Sequence, residues 1–285
     1  MDGRTTKLRM TNREARAHRV APPGATESAE MTELLHHLVT EVARVHRGES
    51  DGAAWPQPYS PKEFAAALPI WKRLLDLFIV ALLFPFWLPI MTLIALWVAV
   101  TSPGPIFYRQ PRIGFKGRPF MIVKFRTMKV NAETHVHEAY LEHLITSDHP
   151  MIKLDAGDPR LIFGGKFLRA IGLDELPQIF NVLKGEMSLI GPRPCTVGEF
   201  ERYAPEQRAR VNALPGMTGL WQVNGKNQTT FREMIEMDIS YSRNISFSLD
   251  LKIILRTLPA ILRQLSDAAR PLPHSEAQPT PPVKT

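Results

Sequence analysis

The sequence predicts a mixed α/β protein, mostly helical with short strands, whose membrane-inserted part is a re-entrant helix-break-helix hairpin. Three observations carry this prediction. A run of 27 residues, Leu74 to Val100, is apolar except for Asp76 and holds two prolines, Pro85 and Pro89, near its middle. The thirty residues after it place short apolar strands among seven lysines and arginines, with no Asp or Glu. The segments beyond follow the helical period, punctuated by Gly and Pro. The bulk numbers agree: 285 residues, 44% apolar, 22% charged, with 25 prolines, fit one or two domains with proline-rich ends. A formal charge of +7 points to an anionic partner, whether nucleic acid, a phosphorylated ligand or a membrane surface. The single cysteine, Cys195, excludes an intramolecular disulfide framework and a multi-cysteine zinc site, and reads as a packing residue.

Residues 1–62 are polar and charged, lack the apolar run of a secretory signal, and read as a disordered, variable region. One short amphipathic helix is expected within residues 31–50, with Leu34, Leu35, Leu38, Val39 and Val42 on one side. Residues 63–104 form the hairpin. Roughly 20 apolar residues cross a bilayer core, so a spanning helix and a buried core hairpin stand beside the re-entrant reading. The prolines favour a break, because each removes a backbone donor and clashes with the preceding turn. The flanks are basic on both sides, with Lys72 and Arg73 before and Arg109, Arg112 and Lys116 after, which favours the cytoplasmic face for both ends. Backbone groups freed at the break then need polar partners within the protein.

Residues 105–266 form the larger domain. PIFYRQ and PFMIVKFRTM read as strands around the glycine-containing turn GFKGR. The basic residues here suit anionic lipids, at about 1 kcal/mol each, and equally a phosphate-binding surface above the bilayer. The three histidines of HVHEAYLEHLI fall on a solvated helix. In IGLDELPQIFNVLKGEMSLIGPRP, Leu176, Ile179, Phe180 and Leu183 have helical spacing, and Asp174 falls where an N-cap belongs, with Pro177 in the first turn. The second reading of Asp174 and Glu175 is a site. With Arg169 and Arg193 nearby, they could hold phosphate and a divalent cation together, and a carboxylate can attack phosphorus. FREMIEMDISYSRN and LDLKIILRTLPAILRQL read as helices, the second suited to the core or to a membrane surface. Residues 267–285 read as a disordered tail. No Walker A loop or Rossmann fingerprint is present.

Taken in order, KRLLDL, SPGPIFYRQPRIG, KFRTM, DPR, FLRAIGLDELPQIFNVLKGEMSLIGPRP, PGMTGLWQVNG and LDLKIILRT resemble one family, the bacterial sugar transferases, or monotopic polyprenyl-phosphate phosphoglycosyl transferases. The resemblance runs from about Lys72 to Arg263 and is to the short form. It implies a cytosolic catalytic domain on a re-entrant hairpin in the bacterial inner membrane. Where the family commonly has Ser-Pro at the break, this chain has Leu88-Pro89 and an additional Pro85. The implied reaction moves a sugar 1-phosphate from a UDP-sugar to undecaprenyl phosphate. Asp174 is then the nucleophile and a Mg²⁺ neighbour, and Glu175 is the other dyad member. Arg169, Arg193, Lys124, Arg126, Arg112, Asp158 and Arg160 are the implied substrate-binding residues. The implied partners are the two substrates, membrane lipids and a second copy in a homodimer, with no nucleic acid. A non-catalytic membrane-anchored scaffold and a metal-dependent phosphohydrolase are the rival readings.

Overall fold

The computed structural model describes residues 68–130, 144, 145, 147, 149–151, 158–225 and 228–269. The expected helix within 31–50 and the histidine-bearing helix near His135 and His137 lie outside them. The first described helix, α1 (Ile70–Leu82), meets α2 (Phe84–Thr101) at Leu83. The break therefore precedes both prolines rather than falling at Pro89. Pro85 sits in the first turn of α2, where a missing N–H costs nothing, and Pro89 is carried inside the helix. The Val80 carbonyl near the end of α1 accepts from the Trp87 indole Nε1 at 2.9 Å, which supplies an internal partner at the break.

α2 is long and apolar enough to cross a membrane, alone in this among the described residues. Its Trp87, Met91, Ile94, Ala95 and Val98 are buried, at the spacing of one helical face. That face packs on strand β2 and on the turn that carries Asp174. The opposite side, including Phe86, Leu93 and Val100, is exposed, as are Leu74 and Phe78 of α1.

β1 (Phe107–Ile113) and β2 (Pro119–Phe125) form the expected antiparallel pair. Opposed residues share a face, so the pairings Tyr108–Lys124, Gln110–Ile122 and Arg112–Phe120 put Lys124 and Arg112 on one side. Then follow α3 (Gly165–Ile171), a 3₁₀ turn (Leu173–Gln178), α4 (Ile179–Lys184) and β3 (Ser188–Ile190). After α5 (Val197–Glu201), β4 (Gly216–Thr218) pairs with β3 in parallel, Ser188 opposite Gly216 and Ile190 opposite Thr218. A Cβ on Gly216 would lie 2.0 Å from the Gly191 nitrogen, so the PGMTG and GPRP segments approach this closely only with glycine. Short α6 (Leu220–Val223) leads to α7 (Phe231–Arg243), whose start is a capping box of Thr230 and Glu233. α8 (Phe247–Ala269) completes the described fold.

Candidate active site

The cations come from the β1–β2 ribbon. The carboxylates come from the 3₁₀ turn, and one side chain joins the two. Asn181 accepts from the Val123 N–H at 3.3 Å and donates to the Met121 carbonyl at 2.7 Å, so α4 docks on the open edge of β2 through hydrogen bonds a third strand would otherwise make. Its amide also donates to Glu186 at 2.7 Å. This docking brings the Lys124 ammonium to the Glu175 carboxylate at 2.7 Å. The Arg193 guanidinium stands 3.6 Å from the same oxygen.

Asp174 is not the N-cap its position suggested. Gly172 occupies that place with φ +75°, a left-handed conformation suited to glycine, and ends α3 as it opens the turn. Asp174 is instead a buried residue within the turn, 7% exposed. The expected helix is also shorter and differently faced: Gln178, Ile179, Asn181 and Val182 are buried, while Leu183 is exposed.

Arg193 rides on the GPRP segment, held by β3–β4 pairing and by Gly216 N–H donating to the Pro192 carbonyl at 2.8 Å. Beneath it lies Arg210, 1% exposed, which donates to the Arg193 carbonyl at 3.0 Å. Arg210 also bonds the Asp238 carboxylate and the Tyr203 hydroxyl, and reaches Glu199 at 3.3 Å. Burial pushes the Asp238 carboxyl up to about 6 against the lowering influence of Arg210. Burial likewise pushes the Cys195 thiol up to about 11, in keeping with a packing role.

Arg112, Lys124, Glu175 and Arg193 line one cleft, with Gln178, Gln222 and Met217. Arg112 donates to the Pro194 carbonyl at 3.1 Å and to Gln110 at 2.7 Å, while its buried Nε has no partner among the described residues. The buried Oε1 of Gln222 is likewise unpartnered. Burial lowers the affinity of Lys124 for its proton, and Arg193 and Arg112 add to this against the pull of Glu175 and Asp174. Burial lowers Arg112 similarly, with Arg193 reinforcing it.

The structure gathers four of the sequence-predicted residues around this cleft and places Asp174 directly beside a lining residue. Three others are used elsewhere. Arg126 donates to the carbonyls of Ser102 at 2.6 Å, Pro103 at 2.9 Å and Pro105 at 2.6 Å, so its fork binds the SPGP turn at the end of α2 instead of the cleft. Asp158 and Arg160 form a bidentate pair with each other, at 2.9 and 2.7 Å, in a turn whose backbone joins Thr127 and Lys129. Arg169 is half-buried in the last turn of α3 and is not a lining residue. Sequence reasoning missed Asn181, Gln178, Gln222 and Arg210. Two amides inside an otherwise apolar, buried stretch at QIFN were the available signal for the first two.

Among the described residues, no three His, Cys, Asp or Glu side chains cluster as a self-sufficient metal site. The donor set suits Mg²⁺ in another way. Mg²⁺ typically takes one or two protein carboxylates and shares the oxygens of substrate phosphates, and Asp174 and Glu175 are adjacent carboxylates of the turn at this cleft.

The sequence matches the family described as Bacterial sugar transferase over residues 67–264. The chain belongs to that family. It is 45% identical over 160 residues to the galactosyl transferase CpsE of Streptococcus agalactiae, covering 56% of this chain and 35% of that protein. It is 42% identical over 205 residues to the UDP-glucose:undecaprenyl-phosphate glucose-1-phosphate transferase of Caulobacter vibrioides, covering 69% of this chain and 71% of that one. It is 37% identical over 213 residues to the exopolysaccharide production protein ExoY of Sinorhizobium fredii, covering 71% and 92%. The chain thus spans about a third of the Streptococcus sugar transferase and most of the other two.

Proposed function

We propose that this sugar transferase moves a sugar 1-phosphate from a UDP-sugar to undecaprenyl phosphate and so initiates surface or exopolysaccharide assembly. The observation that carries the reading is the cleft lined by Arg112, Lys124 and Arg193, two of them meeting Glu175, where a buried guanidinium Nε and an amide oxygen are unpartnered among the described residues. Such an excess of donors is suited to a diphosphate, whose oxygens accept charge-assisted hydrogen bonds. Arg112, Lys124 and Arg193 hold the donor's phosphates. Glu175 orients Lys124 and Arg193 through its shared oxygen.

An Asp174 oxygen attacks the phosphorus that bears the sugar, and the bridging P–O bond to the second phosphate breaks. UMP leaves with that bridging oxygen and its electron pair, and a phosphosugar is joined to Asp174. A lipid phosphate oxygen then attacks the same phosphorus, the bond to Asp174 breaks, and the carboxylate is restored beside polyprenyl diphosphate sugar. Asp174 takes the nucleophile's place that the family resemblance implies, and Glu175, which accepts from Lys124, is its dyad partner. Mg²⁺, held at Asp174, supplies neutralisation of phosphate charge when bound.

The apolar hairpin enters and leaves one face of the inner membrane, with the catalytic domain on the cytoplasmic side. Three contacts support this. Arg73 at the start of α1 donates to carbonyls of α4. Arg126 grips the end of α2, and Trp97 Nε1 donates to the Phe163 carbonyl at 3.0 Å. Both ends of the hairpin are therefore tied to one body. Exposed Phe163, Phe167, Leu251, Leu255, Leu258 and Leu262 extend an apolar surface from it toward the lipid.

The test follows UMP release by the full chain in membranes with Mg²⁺, undecaprenyl phosphate and either UDP-glucose or UDP-galactose. Lipid-dependent UMP release from one donor is expected. Sugar phosphate appearing without lipid would make the protein a phosphohydrolase. No turnover of any donor would leave a scaffold.

A further inference from the structure

We propose that Arg73 and Asp76, one turn apart on α1, form a clamp through which the hairpin sets the spacing of the two halves of the active site. Both are positioning residues, and the proposal rests on the transferase reading above. Arg73 donates from Nη1 to the Val182 carbonyl at 2.5 Å and from Nη2 to the Leu183 carbonyl at 2.8 Å. These carbonyls end α4, the helix that continues directly from the Asp174–Glu175 turn. A cation at a helix C-terminus meets both unsatisfied carbonyls and the negative end of the dipole. Asp76, fully buried, accepts from the Leu189 N–H of β3 at 3.1 Å. Four residues after Leu189 comes Arg193. The same helical turn thus holds the carboxylate segment with one side chain and the arginine segment with the other.

A third contact keeps α1 from sliding. Lys72 pairs with Asp250 of α8, both buried, and Tyr241 donates to Asp250 at 2.7 Å and to the Ile190 carbonyl at 3.1 Å. The strand that leads to Arg193 is therefore bonded at Leu189 from α1 and at Ile190 from α7. Charge near a membrane suffices to explain a basic residue before an apolar run. It does not explain a planar fork placed on two adjacent carbonyls, nor a buried acid one turn later within the apolar segment. A small loss of register at reacting groups costs about two orders of magnitude in rate, whereas charge neutralisation of the donor by Arg112, Lys124 and Arg193 tolerates it. The clamp therefore acts on kcat more than on KM.

The experiment uses the full chain in membranes and compares Arg73→Lys, Asp76→Asn and Asp76→Leu with the native protein. It reads kcat and donor KM for lipid-dependent UMP release, and hydrogen exchange at residues 182–193. Arg73→Lys keeps the charge and loses the two-carbonyl fork. Its kcat is expected to fall about tenfold or more, with donor KM within about threefold and faster exchange in that segment. Asp76→Asn keeps an acceptor for Leu189 and is expected to stay near native, while Asp76→Leu loses both kcat and protection. Native kcat and native exchange in Arg73→Lys would overturn the clamp and leave Arg73 a topological charge. If the native protein transfers nothing, the transferase reading fails by itself, and the exchange measurement still decides the clamp.

Discussion

Two charged clusters stand on opposite sides of Arg193 and are built from the same residue types, yet they differ in balance. Below it, Arg210 is one cation among Asp238, Glu199 and Tyr203, and it also donates to the Arg193 carbonyl. Above it, Arg112, Lys124 and Arg193 line the cleft with Glu175, which the last two meet, and the Arg112 Nε has no partner among the described residues. The lower cluster is structural because its one guanidinium is fully engaged inside the protein, by two carboxylates, a hydroxyl and a backbone carbonyl. A cluster with surplus cations at a cleft is left to be completed by an anion from outside. Residue type alone does not distinguish the two, and burial alone does not either.

The largest effect is expected where the lower cluster loses its one cation. Arg210→Met leaves the buried Asp238 and the half-buried Glu199 without their cation, and removal of one partner from a buried pair costs about 3–5 kcal/mol. Thermal unfolding of the purified protein should show a large fall in Tm, together with loss of activity. An Arg210→Met protein that melts like the native one would mean the cluster is not structural. The upper cluster should respond in the opposite way. Lys124→Met, which leaves Glu175 beside Arg193, should keep Tm within a few degrees while kcat/KM for the donor falls about 100-fold. This corresponds to roughly 2.7 kcal/mol, within the range for loss of a hydrogen bond to a charged group.

A finer test uses pH. Burial lowers the pKa of Lys124 below that of an ordinary lysine, with Arg193 and Arg112 adding to the effect. The charged form binds phosphate, so donor affinity falls as pH rises through this lowered value. Lys124→Arg keeps its charge and should remove the alkaline fall, read from kcat/KM against pH. The smallest effect is expected between the clusters, at Cys195. Cys195→Ala should change kcat by less than about twofold. The buried thiol, pushed up to about 11, should resist alkylation at neutral pH.

Much of the fold was legible because it rests on local pattern. The strand pair followed from alternation around GFKGR, and the helices α7 and α8 from their period. The break in the apolar segment was legible in kind but misplaced. Proline preference for a first turn put Pro85 just after the break, which leaves Leu83 as the turning residue. At the site, Glu175, Arg112, Lys124 and Arg193, expected from the motifs, line one cleft, and Asp174 immediately precedes the first of them. Arg126, Asp158 and Arg160 carried equally suitable chemistry, and the fold spends it on backbone carbonyls and on each other. That difference depends on contacts between segments far apart in the chain. The Lys72–Asp250 pair spans 178 positions, and Arg73 reaches 109 residues to Val182. No periodicity encodes such distances. The Asp174 cap failed for a local reason: Gly172 adopts the left-handed conformation and takes the cap position first.

The proposed chemistry requires Asp174 to become covalently joined to the phosphosugar. The most direct measurement is the intact mass of the membrane-extracted protein after exposure to the UDP-sugar that supports turnover, with Mg²⁺ and without lipid acceptor. The account predicts a gain of one sugar phosphate, mapped to Asp174, absent from Asp174→Asn and discharged by undecaprenyl phosphate. Full lipid-dependent turnover in Asp174→Asn, or an adduct on Glu175, would contradict it.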